Sequence, residues 1–146
     1  MEQEEEEYLY DISSEEIQVL PLAHFEGPVM LIENPDDVAA AVDAICRAGR
    51  VGFDTESRPS FRRGEHYPVC LMQVATHACV YLFRINKTGL TPELRAFLAD
   101  EQVQKIGVGL GQDIRELQSV YGKVDFCGCI DLERIAQRNR FKKRDM

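Results

Sequence analysis

Asp54 and Glu56 close the segment Val51-Gly52-Phe53-Asp54-Thr55-Glu56. The apolar run before them has the pattern of a buried strand, and strand side chains alternate between two faces. Asp54 and Glu56 therefore point to one face and Thr55 to the other. Two close carboxylates repel, and each favours a proton unless a cation lies between them. Magnesium or manganese, hard cations that prefer oxygen ligands, suit such a pair. The plainer alternative is two ordinary surface groups at a strand end, the commoner fate of an isolated Asp-x-Glu. A third acid changes the balance. Asp113 falls in the first turn of the helix expected after Lys105-Ile106-Gly107-Val108-Gly109, 59 positions beyond Asp54. If the two strands are neighbours, Asp113 faces Asp54 and Glu56 across a shared metal site. By itself it is a helix-start acid favoured by the dipole.

The surrounding pattern must position these acids. Val29-Met30-Leu31-Ile32 reads as a short strand. Asn34-Pro35-Asp36-Asp37 reads as a helix start, with Asn as cap, Pro in the first turn and acids at the positive end. Val38, Ala41, Val42 and Ile45 follow at helical spacing, and Gly49 supplies a stop. Val69 to Thr76 and Val80 to Ile85 read as a hairpin around His77-Ala78. Thr91-Pro92-Glu93 opens a helix that carries Leu94, Phe97 and Leu98 on one face. Lys105 to Val108 is a strand, followed by a helix with Leu110, Ile114, Leu117 and Tyr121 on its core face. Val124 to Ile130 is a weaker last strand, and Asp131-Leu132-Glu133 begins a final helix. A hairpin followed by strand–helix units predicts a mixed α/β sheet with flanking helices, not a purely parallel doubly wound one.

Composition bounds the function. The 146 residues, 45% of them hydrophobic, suit one domain with a real core. No apolar run reaches the roughly 20 residues of a membrane span, and the acidic start is not that of a signal peptide. A cytoplasmic protein without a membrane partner is expected. Cys46, Cys70, Cys79, Cys127 and Cys129 are odd in number, which favours free thiols over a disulfide framework. The net charge of −8 looks unsuited to nucleic acid until it is located. Eight of the 25 acidic residues lie in positions 1–16, which hold no Lys or Arg, so the rest of the chain carries 17 of each sign. Residues 1–16 read as a solvated acidic tail, residues 17–28 as an extended arm, and residues 17–146 as the domain. Basic charge gathers at Arg58, Arg62 and Arg63, and again from Arg134 to Arg144.

Phe53-Asp54-Thr55-Glu56, followed by Leu71-Met72-Gln73-Val74, resembles the first motif of the ribonuclease D and Werner-type 3′–5′ exonucleases. Lys105-Ile106-Gly107-Val108-Gly109-Leu110, with Asp113 and Leu117, resembles the second. The resemblance runs from about Val29 to Leu132. It implies a ribonuclease-H-like fold, two divalent metals (Mg2+ or Mn2+) and hydrolysis of phosphodiester bonds from a 3′ end. It makes Asp54, Glu56 and Asp113 metal ligands and catalytic residues. The family's third motif, a Tyr or His paired with a last metal-binding Asp on a late helix, has no counterpart among the 33 residues after Asp113. Tyr121 and Asp125 have the spacing but straddle a turn at Gly122, and Asp131 reads as a structural helix-start acid. The sequence is thus expected to lack the family's C-terminal helices.

Arg58, Arg62 and Arg63, in the loop after the acid pair, are candidates to grip phosphate oxygens, and Phe61 to stack on a terminal base. A merely solvated loop is the alternative. Gly107-x-Gly109-x-Gly111 lacks the spacing of a dinucleotide fingerprint. The expected function is a metal-dependent 3′–5′ exonuclease domain acting on single-stranded 3′ ends of DNA or RNA. The alternatives are a catalytically inactive nucleic-acid-binding or interaction module on the same scaffold and, more remotely, an endonuclease. A homo-oligomer is possible on this reading, because a short chain can leave a core face uncovered.

Overall fold

The computed structural model describes residues 12–138. Its centre is β2 (Arg50–Ser57), which pairs antiparallel with β3 (Val69–Ala75) and parallel with β5 (Gln104–Gly107). β4 (Val80–Phe83) runs antiparallel to β3, β1 (Val29–Ile32) parallel to β4, and β6 (Cys129–Asp131) parallel to β5. The sheet order is β1-β4-β3-β2-β5-β6, the mixed sheet expected from the sequence.

Alternation decides which residues enter the core. Val51 and Phe53 of β2, Met72 and Val74 of β3, and Tyr81 and Phe83 of β4 are buried. They join one cluster with Val38, Ala41, Val42 and Ile45 of α2 (Val38–Ala48), Leu94, Phe97 and Leu98 of α4 (Pro92–Ala99), and Leu110 and Leu117 of α5 (Leu110–Tyr121). Between β4 and α4 lies a short helix, α3 (Ile85–Thr88), which the periodicity does not announce. The residues of opposite parity, Gly52, Asp54, Gln73, Ala75 and Ile106, are half-buried or exposed. With Val80, Gly107 and Val108 they line an open cleft of about 420 Å³. The acid pair thus belongs to the less covered face of the sheet.

Lys105 is the exception among core residues. It is 0% exposed, and its Nζ donates to the carbonyls of Asp100 (2.6 Å) and Cys127 (3.1 Å) and sits 5.0 Å from the Phe97 ring centroid. Burial pushes its pKa down from the usual lysine range. It thereby ties β5 to the turns before it and before β6. All five cysteines are free.

Three expectations differ from the structure. Ser14–Val19, read as the end of the acidic tail and the start of an extended arm, forms a short helix, α1. The cause is a capping box: the Glu16 N–H donates to Ser13 Oγ and the Ser13 N–H to Glu16 Oε2. Residues 1–11 of that tail lie outside the described residues. The helix start at Asn34 is a 3-10 turn, Pro35–Asp37, that leads into α2. The last strand is Cys129–Asp131, not Val124 to Ile130. Gly128 has φ +66°, which interrupts extended backbone, and a Cβ there would lie 2.7 Å from the Val103 carbonyl oxygen. Val124 is buried in the core instead. The final helix, α6, is described over Leu132–Arg138.

Gly107 lies hard against Leu110 and the Phe53 carbonyl. A Cβ on it would lie 2.4 Å from Leu110 Cδ2 and 2.6 Å from the Phe53 carbonyl oxygen. Gly107→Ala is expected to lower stability by about 1–3 kcal/mol, the usual cost of overpacking. An unchanged urea midpoint would show that β2, β5 and α5 are not so tightly apposed.

Candidate metal centre

The site forms where β2 outruns its parallel neighbour. Pairing of β2 with β5 stops at Gly52 opposite Ile106, whereas pairing with β3 continues through Asp54 opposite Gln73 and Glu56 opposite Leu71. An irregularity then follows between Glu56 and Ser57. Beyond Gly107 the chain leaves the sheet and turns at Gly109, which has φ +68°, into α5. A cleft of about 310 Å³ opens between this turn and the end of β2. It is lined by Asp54, Thr55, Glu56, Val108, Gly109, Gln112, Asp113 and Glu116.

The three sequence-selected carboxylates do meet at this cleft, but not as equals. Asp54 and Glu56 are exposed, and the Gln73 amide reaches Asp54 Oδ2 only at 3.5 Å. Asp113 is 8% exposed and is bonded to Thr55. The Thr55 N–H donates to Asp113 Oδ1 at 3.0 Å, and the Thr55 hydroxyl donates to the same oxygen at 2.5 Å. Burial pushes the Asp113 carboxyl above the usual carboxylate range; the Thr55 hydrogen bond opposes this and the nearby Asp54 charge adds to it. Among the described residues no group of three or more His, Cys, Asp or Glu is gathered tightly enough to enclose a metal ion. The donor chemistry nevertheless fits a hard divalent cation. The described residues that line the cleft offer carboxylates and no thiol or imidazole, and the Asp54–Asp113 repulsion is of the kind a cation relieves.

The start of α5 is held by Asp131. Its Oδ1 accepts from the Gly109 N–H (3.0 Å) and its Oδ2 from the Leu110 N–H (3.1 Å), while Oδ1 also accepts from the Glu133 N–H (3.0 Å). Burial raises its pKa, but these three backbone donors and the Arg134 charge outweigh that and hold it below the usual range. One carboxylate thus caps the helix that carries Asp113 and the helix that follows β6.

The basic loop is a separate matter. Arg58 lies over the Tyr67 ring, 4.9 Å from its centroid. Phe61 is 91% exposed, and Arg62 and Arg63 are exposed on a turn closed by the Glu65 N–H on the Arg62 carbonyl. None of Arg58, Phe61, Arg62 and Arg63 lines the cleft. Sequence reasoning missed Thr55, whose alternation turns it from the acid pair but toward α5. It also missed Gln112 and Glu116, which line the cleft and bond to each other at 2.8 Å. The signal for Glu116 was its i+3 spacing from Asp113 on one helix face.

A mixed six-stranded sheet with flanking helices, bearing acids at a strand end and in the next helix, is the ribonuclease-H-like arrangement of nucleases. The family model described as 3′–5′ exonuclease matches residues 29–145, and the chain belongs to that family. It is similar to the crystal structure of the EXD2 exonuclease domain soaked in Mg and GMP, at 27% identity and a TM-score of 0.66, over 78% of this chain and 61% of that one. It shares its fold with the Aedes aegypti Nibbler EXO domain (24% identity, TM-score 0.67, 82% of this chain and 59% of that one). The same holds for Trypanosoma brucei RNase D in its GMP complex (20%, TM-score 0.65, 82% and 37%). The chain therefore spans less than two thirds of the length of these structures. No curated protein sequence matches it. No helix among the described residues is long and apolar enough to cross a membrane.

The raised Asp113 carboxyl has a consequence for the metal-free protein. Its folded pKa exceeds the unfolded value of about 3.9, so the native state holds the extra proton between those two values. Stability from this group is present below the unfolded pKa and is lost as pH rises through the folded one. Asp113→Asn, which keeps an acceptor for Thr55, should therefore raise the Tm of the metal-free protein at pH 7. The gain should shrink toward pH 4. Thermal melts in EDTA check this, and a lower Tm at pH 7 would contradict it.

Proposed function

We propose that this chain is a divalent-metal-dependent 3′–5′ exonuclease that removes nucleotides from single-stranded 3′ ends of DNA or RNA. The observation that carries the reading is the meeting of Asp54, Glu56 and Asp113 at one cleft in a member of the 3′–5′ exonuclease family. In support, crystals of the similar EXD2 exonuclease domain were soaked in Mg with GMP or dGMP and in Mn with GMP.

In this proposal Asp54 and Glu56 hold Mg2+ or Mn2+ from the open face of β2, and Asp113 holds it from α5. Bound there, two such ions supply the Lewis acidity that favours attack of water on the scissile phosphodiester and departure of the 3′ oxygen. Val108 and the Gly109 turn line the cleft beside the acids. Arg58, Arg62 and Arg63, next along the chain from the acid pair, bind phosphate oxygens of the incoming strand, and the exposed Phe61 ring offers a face for a base. The inactive binding module is the less favoured reading, since the chain keeps Asp54, Glu56 and Asp113 together at the cleft.

A 5′-labelled oligonucleotide incubated with the protein and Mn2+ should shorten stepwise from its 3′ end, and EDTA should stop it. Asp54→Ala should cut the rate about a hundredfold or more, and a circular single strand should survive. Salt-sensitive binding without shortening would establish the binding module instead, and cleavage of the circle an endonuclease.

A further inference from the structure

We propose that Thr55 is the positioning residue of this carboxylate site. By donating both its N–H and its hydroxyl to one oxygen of Asp113, it turns the other oxygen toward the cleft shared with Asp54 and Glu56. The inference rests on the reading of those acids as metal ligands.

Both Thr55 donors converge on Oδ1, at 3.0 and 2.5 Å. No other described residue bonds to the Asp113 carboxylate, and among the described residues no fully buried side-chain oxygen lacks a partner, so Oδ2 keeps an open side. An Asp on a helix can swing about two side-chain torsions, and a ligand that swings must be ordered each time a cation binds. Two charge-assisted bonds from a single residue remove that freedom beforehand. The donor is well suited to this role. Thr is β-branched, so its χ1 is stiff, and it sits in a paired strand opposite Met72. Its neighbours in sequence are the two acids themselves, and alternation sends it to the helix-covered face while they go to the open one. Three consecutive residues thus fix the distance and phase between the strand acids and the helix acid. A one-residue slip of β2 would exchange the faces and disconnect Asp113.

Two substitutions in the full chain separate this role from packing. Thr55→Val keeps the shape and the N–H but removes the hydroxyl, and Thr55→Ser keeps the hydroxyl but removes the methyl. The first readout needs no metal: Hα–Hβ couplings of Asp113 by NMR. A single rotamer is expected in the wild type and in Thr55→Ser, and an averaged one in Thr55→Val. The second readout is Mn2+ affinity from the EPR signal of free Mn2+. Thr55→Val should bind about 10–100-fold more weakly, with Thr55→Ser recovering most of the loss. An averaged Asp113 rotamer in the wild type, or one unchanged in Thr55→Val, overturns the positioning role. Equal Mn2+ affinity of Thr55→Val and wild type overturns its link to metal. A fixed rotamer in a protein whose Mn2+ binding is the same with Asp113→Ala would instead sink the metal assignment and leave the clamp standing.

Discussion

β2 holds the sheet, the helix layer and the acids in one frame through its two-residue period. Val51 and Phe53 are buried in one cluster with residues of α2, α4 and α5, and their burial leaves Gly52, Asp54 and Glu56 no choice but the other face. Reversing that phase would place two carboxylates in an apolar core and two large apolar groups in water, at a cost of several kcal/mol. The orientation of the acid pair is therefore enforced by residues that touch no acid. Loss of the β5 partner after Gly52 then frees the end of β2 on one side, and the cleft exists because of that mismatch in strand length.

α5 must meet the end of β2 at a fixed distance, and two contacts of different kinds set it. Gly107 lets the Leu110 side chain and the Phe53 carbonyl approach to where a Cβ would otherwise stand. Asp131 closes the other side by accepting from the first N–H groups of the helix. The two acids on this helix end have opposite fates, and environment alone explains it. Asp131 receives three backbone donors and is held ionised below the usual range. Asp113 is buried with Thr55 as its single bonded partner among the described residues, beside the Asp54 charge, and is pushed up. A carboxylate made reluctant to ionise beside other carboxylates is the group that a cation would help most.

The parts of this arrangement that follow a period were legible in the sequence. The phase of Val51–Glu56, the α5 face with Leu110 and Leu117, and the hairpin of β3 and β4 all follow from spacing, and the acids fell where spacing put them. What spacing does not encode is the long-range partner of a polar side chain. Alternation correctly turned Thr55 away from Asp54, and for that reason hid its contact with Asp113, 58 positions away. Lys105 reads as a charge on a short strand, yet two carbonyls and a Phe97 ring make its burial tolerable; nothing in its neighbours' pattern announces those carbonyls. The α1 capping box was in plain view as Ser-x-x-Glu, but the Glu-rich composition around it argued for a solvated tail. The β6 boundary was missed because Gly128 looks like an ordinary strand glycine until the carbonyls it faces are known.

The charge of the cleft bears on how the proposed substrate would enter. Of the eight described residues that line it, Asp54, Glu56, Asp113 and Glu116 are acids and none is basic. A phosphodiester brought to this cleft alone meets like charge at short range, where the reduced dielectric of a protein surface makes repulsion several times stronger than in bulk water. Arg58, Arg62 and Arg63, which follow the acid pair along the chain, do not line it. Divalent cations held by the acids would offset this negative charge before any bond is broken. On the proposed function, the metal is then a condition for binding the 3′-terminal phosphodiester as well as for its hydrolysis. The arginine loop is left to steer the rest of the strand, and Thr55, by holding one of the acids ready, serves both steps through a single pair of hydrogen bonds.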